Sequence, residues 1–352
     1  MYNILYSVCG EGLGHINRLK ALTSELQDCR MHVFTYGDAF ASLSPYPFLH
    51  QIDGYRYQYD PNGRVDARRT FLVNSKISLR RNREAILYFL DQVDVDLIIT
   101  DFEPSVVAVA RYLNIPLISI DNQHIHSKCK IQGLSLGSRI KSTLIGLYSD
   151  WLVSGADHYI MSHFCHDYYN MSTKRNCTVV GPFIDRSISE ETPSEQDYAV
   201  VYCRNKLQSR LLLPPLQLAI NCGYVKEVLV FGDDSITDCF KCFKQGIKTD
   251  FKNSLVNAKY VISTAGSMTI SECKYFGKRL MVVPEAGQFE QEINAELAHV
   301  MNIAYTVDSR HYGECDVMKF MSDFMPFHYN RTNGVKQAAS IIYDKILNQC
   351  RY

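Results

Sequence analysis

The sequence predicts an α/β protein built from two doubly wound parallel sheets. Short apolar, β-branched runs alternate with helical patterns along the chain. A polar stretch near the middle interrupts the alternation once. The length of 352 residues suits two domains of roughly 100–200 residues each. At 46% hydrophobic and 21% charged, the composition supports packed cores and excludes wholesale disorder.

In the first half, Asn3–Val8, Arg30–Thr35, Leu97–Thr100 and Leu117–Ile120 read as strands. In the second half, Tyr198–Tyr202, Glu227–Phe231, Tyr260–Ser263 and Leu280–Val283 match them. Continuous apolar runs of this length fit strands covered on both faces. Between Gly181-Pro182 and Gln196 the chain has little apolar content, which predicts a linker. Thr332 to Cys350 places Val335, Ala338, Ala339, Ile342, Ile346 and Leu347 at helical spacing, with Thr332 or Asn333 as cap. The expected organisation is a first domain over residues 1–182, a linker over 183–196, a second domain over 197–331 and a packing helix over 332–352.

Lys+Arg and Asp+Glu balance at 37 each, which removes whole-molecule attraction to nucleic acid or anionic lipid and leaves only local patches. Aromatic residues are too sparse around the basic residues for a base-stacking groove, so no nucleic-acid partner is expected. Twelve scattered cysteines, a start lacking a basic and apolar leader pattern, and no long apolar run point to reduced thiols and a cytoplasmic setting. Cys239 and Cys242 form a lone C-x-x-C with no further ligand pair, and a structural role is expected for them.

Three loops after strands carry the chemistry. The first strand runs into Cys9-Gly10-Glu11-Gly12-Leu13-Gly14-His15, with a helix expected over Asn17–Leu26. Glycines there allow close backbone approach to a ligand, and an imidazole suits general-base work near neutrality. The spacing is not G-x-G-x-x-G, which argues against hydride transfer. Asp101-Phe102-Glu103-Pro104 follows a strand, where carboxylates orient a His, bind acceptor hydroxyls or cap the next helix. Asp121-Asn122-Gln123-His124 is a polar set suited to reading hydroxyls. The most specific segment follows Tyr260–Ser263. Thr264, Gly266, Ser267, Met268 and Thr269 open a helix whose N–H groups suit a diphosphate. Glu272 lies about two turns on, placed to accept ribose hydroxyls. Gln288, Glu290 and Gln291 follow the next strand, placed to read a sugar.

This segment resembles the donor-sugar signature of GT-B nucleotide-sugar glycosyltransferases. It is similar to the bacterial GlcNAc transferase of lipid-linked peptidoglycan precursor and to UDP-glycosyltransferases. The resemblance is carried by Gly266, Glu272, Pro284, Glu290-Gln291 and Asn294-Ala295, with the glycine loop ending in His15. It implies two Rossmann-like domains facing across a cleft, the acceptor on the first and the nucleotide sugar, UDP-linked, on the second. It further implies His15 as base and Asp101 as its orienter. Gly12, Gly14, Glu103, Asn122, Gln123 and His124 are the expected acceptor-side residues. No cofactor or metal is expected, the nucleotide sugar being a substrate. The sequence departs from relatives at Thr264, where many carry His or Arg, at Met268, where plant-type members carry Asn, and at Glu290, which replaces Asp. Base recognition is expected between Phe243 and Asn257.

Arg64, Arg68, Arg69, Lys76, Arg80, Arg81 and Arg83 form the basic stretch of the first domain. It suits an anionic, lipid-linked or cell-envelope acceptor, or peripheral contact with the inner membrane face. Two further readings use the same architecture. A 2-epimerase would produce an epimer or free UDP from UDP-GlcNAc alone, but its Arg-Pro-Glu element is not found after the first strand. A non-catalytic nucleotide-sugar-binding protein would bind without turnover.

Overall fold

The computed structural model describes residues 1–352 except 12, 57, 59, 61–65, 76, 169–170, 233–241, 248–249, 327–330 and 350–352, and except the side chains at 13, 67 and 347–349. Arg64, Lys76, Gly12, Cys239 and the Leu347 side chain thus lie outside the described residues, as does part of the segment expected to recognise the base.

The first sheet takes β1 (Tyr2–Val8), β2 (Cys29–Thr35), β3 (Leu49–Gln51), β4 (Leu97–Asp101) and β5 (Leu117–Asp121). A short β6 (Cys129–Ile131) leaves it, β7 (His158–Ser162) rejoins it, β8 (Met171–Thr173) pairs antiparallel with β6, and β9 (Cys177–Val180) closes the edge. The order is β3-β2-β1-β4-β5-β7-β9, with all pairs parallel. The second sheet takes β10 (Gln196–Tyr202), β11 (Glu227–Phe231), β12 (Phe243–Gln245), β13 (Ala258–Ser263), β14 (Arg279–Val282) and β15 (Ala304–Thr306), in the parallel order β12-β11-β10-β13-β14-β15. Every expected strand is present, and the fold is GT-B with two Rossmann-like domains.

The two faces of each sheet feed separate cores, which explains the unbroken apolar runs. Ile4, Tyr6, Leu97 and Ile99 pack on one side of the first sheet, and Leu5 and Ile98 on the other. In the second sheet Val200 and Val261 face one core, Val201 and Ile262 the opposite one. Strand order reverses between β1 and β4 and again between β10 and β13. Those reversals open a crevice at the strands' carboxyl ends, and the expected site residues follow β1, β4 and β13.

Two segments differ from expectation. The stretch after Pro182 is packed rather than free: Ile184 and Ile188 are buried, Arg186–Ser189 forms a short helix, and Asp185 pairs with Lys252 at 2.6 Å. Spaced apolar residues among many polar ones concealed this. The C-terminal helix, Val335–Gln349, packs Val335, Ala338, Ala339, Ile342 and Ile346 into the first domain's core, so the chain crosses between domains twice. Asn333 accepts from Val335 N at 3.2 Å, the expected cap. The returning chain needs glycine: a Cβ on Gly334 would lie 2.1 Å from the Gly181 carbonyl oxygen. Elsewhere the domains are joined by Lys274, whose Nζ donates to Phe164 O at 2.8 Å and to Asp167 at 2.5 Å. Helices Leu136–Leu152 and Phe289–Val300 pack together through Lys141–Glu292 at 2.5 Å and Ser135 Oγ to Glu296 at 2.9 Å.

Candidate active site

After β1 the chain turns at Cys9 and Gly10, where a Cβ would lie 2.2 Å from the Tyr36 carbonyl oxygen. The helix starts at Leu13, four residues earlier than the pattern suggests, so His15 sits in its first turn. Its Nδ1 lies 2.7 Å from Asp101 Oδ1 at the end of β4, and the imidazole is 13% exposed. β1 and β4 are paired neighbours with Val8 opposite Asp101, so the topology itself brings the two together. With Nδ1–H donating to the carboxylate, Nε2 keeps its lone pair, and it has no hydrogen-bond partner among the described residues.

Asp101 is fully buried. Burial alone would raise its carboxyl, but Arg18 and His15 outweigh this and hold it below the ordinary carboxylate value. Arg18 Nε donates to Oδ2 at 2.8 Å and Nη2 to Oδ1 at 2.9 Å, and Tyr6 OH donates to Oδ2 at 3.3 Å. Sequence reasoning missed Arg18; the available signal was its place one helical turn after His15, on the same face. It also missed Phe102. This residue adopts φ +59°, in the left-handed region that costs a bulky side chain strain, and its ring lies nearly parallel to His15 at 6.5 Å. Tyr148 lies 6.2 Å from Phe102, and Trp151 6.0 Å from Tyr148, forming an aromatic path to the surface.

Two expected acceptor residues do not reach the cleft. Glu103 is buried and accepts from Ser7 Oγ at 2.6 Å, Ser105 Oγ at 2.7 Å and Ser105 N at 3.0 Å, so it ties the start of helix Ser105–Leu113 to β1. His124 is buried between Asp121 Oδ2, at 2.6 Å from Nδ1, and Val153 O, at 2.9 Å from Nε2. Burial would lower the His124 imidazole, but Asp121 overrides it and the value is raised, consistent with both nitrogens donating. In each case the polar side chain is spent on the fold. Asn122 does reach across: its Nδ2 donates to Glu290 Oε1 of the second domain at 3.0 Å. Gln123 is half-buried, and its Oε1 accepts from Asn122 N at 3.3 Å.

Opposite lies the loop after β13. Helix Ser267–Phe276 is capped by Gly266 with no side-chain hydrogen bond, and the N–H groups of Ser267, Met268 and Thr269 have no partner among the described residues. Thr264 is buried and Gly266 faces open space. Asn294 Nδ2 donates to Ala265 O at 3.1 Å, which explains the Asn-Ala element: it locks this loop onto the next helix. Glu272 is buried without a hydrogen-bond partner among the described residues, and burial pushes its carboxyl up to about 7. Gln288 Oε1 caps helix Phe289–Val300 through Gln291 N at 2.8 Å, and Gln291 Oε1 accepts from Glu285 N at 2.9 Å. Both amides therefore keep their NH₂ groups. The loops meet: a Cβ on Gly14 would lie 3.6 Å from Met268 Cγ.

Among the described residues no group of three or more His, Cys, Asp or Glu side chains is arranged to hold a metal ion, and no helix is long and apolar enough to cross a membrane. Of the basic stretch, Arg68, Arg69, Arg80, Arg81 and Arg83 are exposed; Arg80 pairs with Glu84 at 2.8 Å and Arg81 with Asp53 at 3.1 Å.

An imidazole with a free Nε2 lone pair can take a proton, and an uncapped helix N-terminus on the adjoining loop can hold an anion. Solved structures share the fold. The glycotransferase of kitacinnamycin superposes with a TM-score of 0.66 at 14% identity, covering 98% of this chain and 99% of that one. MurG of Acinetobacter baumannii gives 0.64 at 13% identity, covering 98% and 100%. UGT2 of Phytolacca americana, solved with UDP-2-fluoro-glucose and pterostilbene, gives 0.61 at 15% identity, covering 98% and 94%. No curated protein matches the sequence. The family model for glycosyl transferase family 1 matches residues 2–325. That match, on a fold shared end to end with such enzymes, makes this chain a member of glycosyl transferase family 1, a GT-B glycosyltransferase.

Proposed function

We propose that the chain moves a sugar from a UDP sugar to an acceptor hydroxyl with inversion at the anomeric carbon. One observation carries the reading: the loop that holds the His15–Asp101 pair meets the uncapped first turn of helix Ser267–Phe276, a Cβ on Gly14 lying 3.6 Å from Met268 Cγ. In this mechanism His15 Nε2 takes the hydroxyl proton while the acceptor oxygen bonds to the anomeric carbon. The bond from that carbon to the diphosphate oxygen breaks, and the nucleoside diphosphate leaves with the electron pair. Its charge is met by the N–H groups of Ser267–Thr269 and the helix dipole, since Thr264 brings only a hydroxyl. Glu272 accepts the ribose hydroxyls, while Gln288, Glu290 and Gln291 read the sugar. Residues 1–182 carry the acceptor and 197–331 the donor. The Phytolacca neighbour's ligand supports UDP.

The acceptor in this reading is lipid-linked. Helix Leu136–Leu152 exposes Leu136, Ile140, Leu144, Leu147, Tyr148 and Trp151 along one side, continuous through Phe102 with His15. Beside the exposed Arg68 and Arg69, Phe71 and Leu72 are exposed as well. The exposed apolar side of this helix, and the exposed arginines beside Phe71 and Leu72, each suit peripheral contact with an anionic membrane face, tested by cosedimentation with phosphatidylglycerol vesicles.

The decisive assay follows UDP release from UDP-glucose, UDP-galactose and UDP-GlcNAc with octyl β-glucoside as apolar hydroxyl acceptor. His15→Ala is expected to retain donor binding and lose about 10²–10⁴ in transfer. Transfer at the unaltered rate would remove the base assignment, and retention of configuration in the product would remove single displacement.

A further inference from the structure

We propose that Arg18 is a positioning residue for this reaction: its guanidinium clamps Asp101 and opposes early protonation of His15, so that the imidazole stays a base until the acceptor proton arrives. The inference rests on the reading of His15 as base.

The geometry is specific. Asp101 receives Arg18 Nε on Oδ2 at 2.8 Å and Arg18 Nη2 on Oδ1 at 2.9 Å, so the fork grips both oxygens. His15 Nδ1 then approaches the same Oδ1 at 2.7 Å. Arg18 Nη2 lies 3.1 Å from His15 Nδ1, two donors converging on one acceptor. Arg18 is itself buried. A buried carboxylate facing an imidazole alone draws a proton onto the pair before any substrate arrives. Here the guanidinium already balances the carboxylate. With a neutral imidazole the charges of Arg18 and Asp101 cancel, and an imidazolium formed during transfer makes these three groups +1 beside a fixed cation. The N-terminal turn of helix Leu13–Thr23, where His15 sits, disfavours a resident cation in the same sense. Other groups act on the cluster from each neighbouring element: Tyr6 on β1, Asp121 on β5, and Glu290 across the cleft. None of these grips both oxygens of Asp101 as Arg18 does. Lysine cannot reproduce the clamp, because it offers a point charge without a fork.

The test needs no acceptor. ¹⁵N-imidazole NMR follows the His15 titration in wild type, Arg18→Met and Arg18→Lys, with far-UV circular dichroism to establish folding. Arg18→Met is expected to raise the His15 midpoint by about one pH unit or more, because a cation within hydrogen-bond range has been removed. Arg18→Lys, which keeps the charge but loses the fork, is expected to lie between the two. A midpoint in folded Arg18→Met within about half a unit of wild type overturns the proposal. Should Arg18→Met fail to fold, the same criterion passes to Arg18→Gln, together with the His15 tautomer in wild type. A wild-type signal with the proton on Nε2 rather than Nδ1 overturns the clamp directly. UDP release from UDP-glucose in the presence of octyl β-glucoside separates the two levels of the argument. If His15 is the base, Arg18→Met slows transfer in wild type but not in the His15→Ala background. Equal slowing in both backgrounds overturns positioning through His15. Wild-type transfer by His15→Ala removes the base reading itself, whatever the titration shows.

Discussion

Replacing Glu272 with Gln should make the empty protein more stable and the donor weaker at the same site. Glu272 is 4% exposed, and burial raises its carboxyl from 4.5 to about 7, with Lys252 partly offsetting and Asp185 adding to the effect. Between those values the folded state holds a proton that the unfolded chain releases. The group's stabilising contribution is therefore fully present below pH 4.5 and is lost as pH rises through 7. Well above pH 7 an ionised, unpartnered Glu272 costs the fold about 3 kcal/mol. Glu272→Gln removes that cost at pH 8.5 and changes little at pH 4.5. For a domain of this size the gain is about 6–12 °C in melting temperature. Differential scanning fluorimetry from pH 5 to 9 reads it directly. The same change deprives the ribose hydroxyls of a carboxylate, which should weaken UDP binding by about ten- to a hundredfold. In wild type, calorimetry in buffers of different ionisation enthalpy should show a proton released near pH 7 as UDP binds and the carboxylate gains partners. Parallel stability curves for wild type and Glu272→Gln would refute the reasoning.

Three further outcomes are expected. Lys274→Met removes both donations to the first domain and should lower stability by about 1–3 kcal/mol in urea melts. Glu103→Ala leaves Ser7 and Ser105 without their acceptor and should cost about 2 kcal/mol or more, with no change in the acceptor KM of the folded enzyme. A changed KM would return Glu103 to the cleft. Gly334→Ala places a methyl against the Gly181 carbonyl and should destabilise by about 1–3 kcal/mol in thermal melts.

The strands that position the site were legible because each is covered on both faces and so reads as an unbroken apolar run. β3, β9 and β12 were not, being three or four residues at sheet edges where few side chains are buried. β7, opening on His158 and Tyr159, was missed as well. In the candidate site, the relation of Gly266 to Glu272 was legible because both belong to one helix and its cap, which fixes their spacing. The loops after β4 and β5 were harder. A polar residue at a strand's end can face the cleft or tie down the next helix, and Asn122 and His124, two residues apart, took opposite courses. Arg18 escaped notice because its partner lies 83 residues away.

The return of the C-terminal helix to the first domain has a consequence for synthesis on the ribosome. Val335 to Ile346 complete a core whose other members, such as Ile4 and Ile99, are translated first. Domains ordinarily fold in the order they emerge. Here the earliest domain must wait, its apolar face open, until residues 335–346 have emerged. The second domain can assemble meanwhile, and a prematurely terminated chain would display exposed core that quality-control proteases recognise. Closure of the first domain thus reports that synthesis has passed Ile346.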